Sequence, residues 1–478
     1  MKTDYDRKAS LDAQLISALT AIVGADNVIV DPDRLDTYGH DEFSLREIQH
    51  RPDVVVRPKT TEETAAVLRL ANEHRIPVTP RGGATGLCGG CVPVAGGIVL
   101  SLERMDAVVE IDAGNQMAVV EAGVSLIQFE KAVAEAGFDF PPHPGEESAL
   151  IGGMIATNAG GSRAVKYGVI RNYVRGLEVV TAAGDVLQLG GKLIKSSTGY
   201  NLMHLFIGSE GTLGVITKAV IQFRTKPALT RSLVIPFETL EAAIGTVPVL
   251  FQRDLIPLAL EFVPLDVLRI SEENLQKTWP SHLGDTHLFV ILDAVSEEEM
   301  DRLSESVAEA ALEMGALDVF IADTPAKQDN VLAIRSKIYE ALKASTVEIL
   351  DICVPRAEIP AHVKRVQEIA AAHGVWLPTF GHAGDGNVHT HIMKARYKDG
   401  RIVPMAEEEW RSSLEAIRDE VYADGTARGG VISGEHGIGL VKKPYLALSL
   451  PPAQIELMRG IKKAFDPRGI LNPGKIFD

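Results

Sequence analysis

Apolar positions in this chain switch between two periods. Asp53 to Arg57 reads as a short apolar strand, which Pro58 stops. Thr60 then caps a helix whose third position is Glu63, the spacing of a capping box. Ala66, Val67, Leu70 and Ala71 recur at helical spacing, and Ile76 to Thr79 returns as a strand. PRGGATGLCGG follows, and the next element, Ile98 to Leu102, is a strand rather than a helix. That order excludes a Rossmann turn, whose glycines lie between strand and helix in GxGxxG spacing. After about Lys226 the texture changes. Leu258 to Val263 and Leu288 to Asp293 read as strands. Ser296 with Glu299 opens a helix placing Met300, Leu303, Val307 and Met314 on one face. Gly315 ends that helix, and Leu317 to Ile321 is the next strand. Short connections between alternating elements indicate a compact α+β region.

Composition sharpens this pattern at one point. Glycines number 43 in 478 residues, about 9% against a usual value of about 7%, and 24 of them lie between Gly82 and Gly214. The length fits two or three domains. The formal net charge of −16 argues against nucleic acid, whose phosphates need Lys and Arg. The longest charge-free stretch, Gly82 to Leu102, is too rich in glycine for a membrane span. The N-terminus lacks the apolar core of a signal peptide. Three cysteines make no disulfide framework, so a cytoplasmic protein is expected, and Cys88 and Cys91 are read as space-filling.

Three constellations carry chemistry. Successive small residues in Gly82–Gly83–Ala84–Thr85–Gly86 let backbone N–H groups converge on an anion such as a pyrophosphate. Two more glycine clusters, Ile151–Gly161 and Ile207–Gly214, favour a long cofactor lying against backbone over three unrelated turns. In GHAGDGNVHTH, Asp385–Gly386 signals a two-residue hairpin. That register pairs Gly384 with Asn387, Ala383 with Val388 and His382 with His389, with His391 on the same face. Opposed imidazoles invite a metal. Glu435, beside His436 in SGEHGIG, supplies a carboxylate, and two His with one carboxylate suit catalytic zinc or non-haem iron. Alone, this set would equally serve a metallohydrolase. Arg335 in VLAIRSKIYEAL, with Tyr339 one helical turn later, forms a pair able to hold an organic acid.

PRGGATGL, IGGMIATNAGGSRAVKYG, STGYNLMHLFIGSEGTLGVIT, GHAGDGNVH, SGEHGIG and FDPRGILNPGKIF occur in that order. Together they resemble the FAD-linked D-2-hydroxyacid dehydrogenases of the vanillyl-alcohol oxidase superfamily. That group includes D-lactate and D-2-hydroxyglutarate dehydrogenases and the flavin subunit of glycolate oxidase. The resemblance implies an α+β fold: a two-part FAD-binding domain of the vanillyl-alcohol oxidase (PCMH) type and an antiparallel-sheet cap domain with helices. It implies four parts here: an N-terminal helical segment (1–50), the FAD-binding domain (51–226), the cap domain with the metal-binding hairpin (227–425) and a returning segment (426–478).

The resemblance also implies site residues. Gly82, Gly83, Ala84, Thr85 and Gly86 would meet the FAD pyrophosphate, with Pro80, Arg81 and Leu87 in the same cofactor set. Gly152, Gly153, Asn158, Ala159, Gly161 and Ile216 would line the rest, with Asn472 near the isoalloxazine ring. His382, His389 and Glu435 match the ligands of a divalent metal, expected to be zinc. His436 matches the catalytic base and Arg335 the substrate-carboxylate arginine, with Tyr339 and His391 in the same set. The glycine loop carries no histidine, which implies non-covalent FAD. Tyr339 stands where the 2-hydroxyglutarate enzymes have threonine, Ile349 where they have lysine and His391 where they have asparagine. The lost cation favours D-lactate or D-2-hydroxybutyrate over a five-carbon diacid. Expected partners are a small D-2-hydroxy acid and an acceptor such as an electron-transferring flavoprotein, a cytochrome or a quinone-linked carrier. A homodimer is expected, in the cytoplasm or peripheral to a membrane through its acceptor. The alternatives are a D-2-hydroxyglutarate or glycolate dehydrogenase, an oxygen-using oxidase, and a flavin-free metallohydrolase or binding protein.

Overall fold

A computed structural model describes residues 11–43 and 48–477. They form two compact units, each with its own sheets. The first runs as far as Gly160, then takes Val169–Lys226 and everything from Glu435. The second takes Gly161–Gly168 and Pro227–Gly434.

In the first unit, a four-stranded sheet runs in the order Val28–Ile29, Val54–Val56, Ile98–Ser101, Val78–Arg81. Its last three strands are parallel. Because successive side chains alternate between faces, Val54 and Val56 enter the main core with Leu68, Ile98 and Leu100. Val55 and Val99 meet Ile29 and Leu35 on the other side. Both faces are covered, which is why these strands read as continuous apolar runs. Helix Thr61–His74 makes the crossover. Thr60 accepts from the Glu63 N–H at 3.2 Å, while Glu63 reaches back to the N–H of Lys59. A second, antiparallel sheet orders Val108–Asp112, Met117–Glu121, Val215–Gln222, Val174–Val180 and Val186–Gly190.

The segment after Asp466 closes this unit. Leu471 bridges to Val78, the Val78 N–H donates to Ile470 O (2.8 Å) and the Asn472 N–H donates to Val78 O (2.8 Å). It thereby borders the strand that leads into the glycine loop.

The second unit is built on a seven-stranded antiparallel sheet. Its order is Phe320–Ala322, Leu229–Phe237, Thr286–Ala294, Ala259–Pro264, Thr379–His382, Asn387–Met393, Thr346–Cys353. One face packs Val234, Phe289 and Phe380 against helices Leu265–Leu275, Pro325–Ser336 and Ile338–Lys343. On the opposite face, Ile352 meets Gly425 of helix Glu407–Ala427 so closely that a Cβ there would lie 2.7 Å away. Among the described residues, no helix is long and apolar enough to cross a membrane.

Candidate functional site

In the first unit the parallel strand Val78–Arg81 ends at the glycine loop, and Gly83 and Gly86 are exposed. Among the described residues, the N–H groups of Gly82, Gly83, Ala84, Thr85 and Gly86 meet no protein acceptor. Five unspent donors in succession make a nest for an anion. The only left-handed residue in this run is Ala84 (φ 59°), so the glycines are not there for their φ angles. Nor does the protein crowd them all. A Cβ on Gly153 would meet nothing within 4 Å, and one on Gly82 or Gly86 nothing nearer than 3.6 Å. The space a side chain would take suits a cofactor lying along the backbone. Gly152 is different: its Cβ would lie 2.7 Å from that of Ala122, so it is a packing glycine.

Gly152 and Gly153 open helix Ile151–Thr157, which ends on Asn158 in the left-handed conformation (φ 54°). Ala159 follows, its N–H on Met154 O. Ile216 is buried in the antiparallel sheet, and Pro80 packs beside Gly211. Gly161 belongs to the second unit. Thr85 and Leu87 are half-buried.

Arg81 spends its guanidinium elsewhere, donating to Thr37 O (3.1 Å) and His40 O (2.6 Å) and lying 5.3 Å from the centre of the Tyr38 ring. That ties Thr37–Phe43 to the loop. Asp41 completes the tie by accepting from the N–H groups of Phe43 (3.1 Å) and Gly89 (2.7 Å). Burial pushes the Asp41 carboxyl up to about 6, against those two N–H groups and Arg81. Asn472 is buried, and its amide donates to Gly90 O (2.9 Å) and Glu210 O (2.7 Å), so both its N–H groups hold protein segments together. Glu435 and His436 lie where the chain re-enters the first unit, their side chains 4.0 Å apart, and Gly160 leaves no room for a Cβ against the Glu435 carboxylate.

In the second unit the histidine hairpin has a different register from the one expected. His382 pairs with Asn387 and Phe380 with His389. A type I′ turn needs positive φ at both central residues, and only Gly386 (φ 95°) has it. The connection is therefore the four residues Ala383–Gly386, with the Asp385 and Gly386 N–H groups on His382 O. The two imidazoles are diagonal rather than opposite. They still share a face, with ring centroids 5.2 Å apart and planes at 87°.

Neighbours fix both rings. His382 Nδ1 donates to Glu261 (2.6 Å), leaving Nε2 as the lone-pair nitrogen. Asn387 donates its amide to Asp351 (2.7 Å) and to Ile352 O (3.2 Å), which turns its oxygen toward His389 Nε2 (3.1 Å). His389 then carries its proton on Nε2 and its lone pair on Nδ1. Two oriented lone pairs on one face are a donor set that fits zinc.

Arg335 pairs with the other oxygen of Glu261 and lies 5.5 Å from the centre of the Phe380 ring. Burial alone would raise the Glu261 carboxyl, but the charge of Arg335 and the hydrogen bonds from His382 and Arg335 hold it down at about 2. Arg335 Nε is buried and meets no hydrogen-bond acceptor among the described residues. The helix expected to carry both Arg335 and Tyr339 breaks at Lys337, into Pro325–Ser336 and Ile338–Lys343. Tyr339 nevertheless reaches the same surface, 6.1 Å from His391 between ring centroids. His391 is buried, stacks on Phe380 at 5.1 Å and donates through Nδ1 to Thr346 (3.2 Å), whose hydroxyl is given to Leu342 O. Ile349 pairs directly with His391.

Glu261, Asp351 and Glu210 escaped the sequence reading. The available signal was a lone carboxylate in an apolar run, ALEFVP or ILDIC, because a buried charge must be paired.

Comparison with known proteins bears on both units. Residues 52–190 match the family described as "FAD binding domain", and residues 226–476 match "FAD linked oxidases, C-terminal domain". A D-lactate dehydrogenase of Archaeoglobus fulgidus is 47% identical over 423 residues, 88% of this chain and 91% of that protein. A D-2-hydroxyglutarate dehydrogenase of Stutzerimonas stutzeri is 33% identical, covering 98% of this chain and 99% of its own. The structure of 4-ethylphenol oxidase from Gulosibacter chungangensis aligns with a TM-score of 0.79 over 99% of this chain and 98% of that one. At 20% identity that last likeness shows the fold alone, the two-domain vanillyl-alcohol oxidase type.

Proposed function

Because the chain belongs to the FAD-linked 2-hydroxyacid dehydrogenase family, we propose that it oxidises a small D-2-hydroxy acid, D-lactate or a close analogue, to the 2-oxo acid. The observation that carries this reading is Arg335, with its buried, unsatisfied Nε on the sheet face that also presents His382 and His389. A carboxylate would satisfy that donor and share the guanidinium with Glu261. Ile349 and Phe380 continue the face as apolar surface, which favours a small uncharged side chain on the substrate.

In this reading His382, His389 and Glu435 hold a divalent metal, which would polarise the substrate hydroxyl. FAD, when bound, supplies the two-electron acceptor for the hydride from C2. His436 takes the hydroxyl proton as general base. Tyr339 and His391 shape the acid site. Electrons then pass to an electron-transferring flavoprotein, a cytochrome or a quinone-linked carrier, and the reading includes a cytoplasmic homodimer. A second reading has its own observation: Lys343 Nζ lies 5.8 Å from the centre of the Tyr339 ring and would meet the distal carboxylate of D-2-hydroxyglutarate.

Anaerobic mixing with a panel of D-2-hydroxy acids, with and without chelator, tests both. D-lactate should bleach the flavin absorbance, more slowly after chelation, and L-lactate should not. Bleaching by D-2-hydroxyglutarate alone would select the second reading. Unchanged spectra with every acid would end the dehydrogenase reading, and peroxide release on turnover would make the protein an oxidase.

A further inference from the structure

Glu210, in the middle of IGSEGTLG, is a buried carboxylate that neither the cofactor set nor the metal set uses. It holds a left-handed backbone (φ 51°), unusual for a residue with a side chain, so the surroundings determine its placement. Its N–H donates to Ala156 O (2.8 Å), in the helix of Gly152 and Gly153, and its carbonyl accepts from Asn472 (2.7 Å). Its two carboxylate oxygens take one N–H each, Ile438 at 2.8 Å and Gly439 at 2.7 Å. The following N–H groups, Leu440 and Val441, both go to Cys88 O (2.8 and 3.1 Å), and the Cys88 thiol reaches Gly437 O (3.2 Å). Four consecutive amides just past Glu435 and His436 are thus spent on two residues, one in each of two glycine-rich loops.

We propose that Glu210 is a positioning residue for His436: its carboxylate fixes the 437–439 backbone and so the direction in which His436 presents its imidazole. This rests on His436 being the base in the reading above. The physical demand is for two acceptors on one side chain. Glutamine offers one oxygen and turns an NH2 toward the other amide, and aspartate keeps the charge but lacks the reach. Charge-assisted bonds to backbone N–H are the stronger kind, so their loss is felt locally. Gly437 is consistent with this clamp. It has φ 85°, and a Cβ there would sit 3.1 Å from a Glu210 oxygen.

The test uses the FAD-loaded full-length protein. In E210Q, hydrogen exchange of a peptide spanning 437–441 should accelerate at least tenfold, while peptides of the seven-stranded sheet keep their wild-type rates. Flavin reduction by saturating substrate should slow at least tenfold, with substrate affinity changed less than threefold and dithionite reduction unchanged. E210D should show the same local signature, more weakly. Unchanged exchange at 437–441, or an unchanged reduction rate, in folded, flavin-loaded E210Q overturns the proposal. So does failure of both variants to fold, which would assign Glu210 to bulk stability. If wild-type flavin is not reduced by any 2-hydroxy acid, the functional reading fails. Exchange at 437–441 then still decides whether Glu210 fixes that backbone.

Discussion

Gly152 and Gly153 are neighbours in one helix and are glycine for opposite reasons. A methyl on Gly152 collides with Ala122, whereas a methyl on Gly153 meets no protein atom. Replacing Gly153 by Ala should therefore raise apoprotein stability by about 0.5–1 kcal/mol, the usual gain of alanine over glycine in a helix. The same change should weaken FAD binding at least tenfold. Gly152→Ala should cost about 1–3 kcal/mol through overpacking. Thermal melts of both apoproteins, with fluorescence titration of FAD, check the pair. A loss of FAD affinity in neither would remove helix Ile151–Thr157 from the cofactor site.

Asp41 gives a pH dependence of definite sign. Its carboxyl is raised from 3.8 to about 6 by burial, so the folded state holds the proton more tightly than the unfolded one. Its contribution is full below about 4 and is lost as pH rises through 6. Asp41→Asn should remove that decline, so melts across pH 4 to 6 should fall less steeply for the variant than for wild type.

At the scale of elements, the sequence announced what depends on residue type and hid what depends on count. The strand, helix and strand around Thr60, and the glycine loop between two strands, were legible because proline, the capping spacing and the glycines mark them locally. The hairpin register was not. Asp-Gly signals a turn without stating whether two or four residues make it, and Val165 packed on Gly384 belongs to a distant segment. Both readings keep His382 and His389 on one face, since a shift of two preserves alternation. The break at Lys337 was hidden for the same reason: helical spacing continues through VLAIRSKIYEAL although the backbone does not.

The face that results orients imidazoles through their neighbours. Asn387→Leu should leave Asp351 without its amide partner and free the His389 ring to turn. Zinc affinity should drop about 10- to 100-fold, the usual cost of losing a partner of a metal-binding histidine. Chelator competition measures this, and an unchanged affinity would exclude His389 from the ligand set.

At the scale of the molecule, the acidic balance of −16 means that anions must be held by local devices. The five glycine-loop amides that meet no acceptor among the described residues and the guanidinium of Arg335 are candidates for such devices, one in each unit. The change of texture near Lys226 falls where the chain passes from Val169–Lys226 to Pro227–Gly434. The assignment of Gly161–Gly168 to the second unit was not, because eight residues carry no periodicity of their own.

The bond from Asn472 to Gly90 spans 382 residues. While the ribosome adds about 5–20 residues each second, the glycine loop waits tens of seconds or more for the strand edge that Leu471 and Asn472 complete. A nascent polypeptide therefore exposes the glycine loop with one neighbouring edge missing throughout most of its translation. Flavin loading is therefore expected to follow synthesis of this segment.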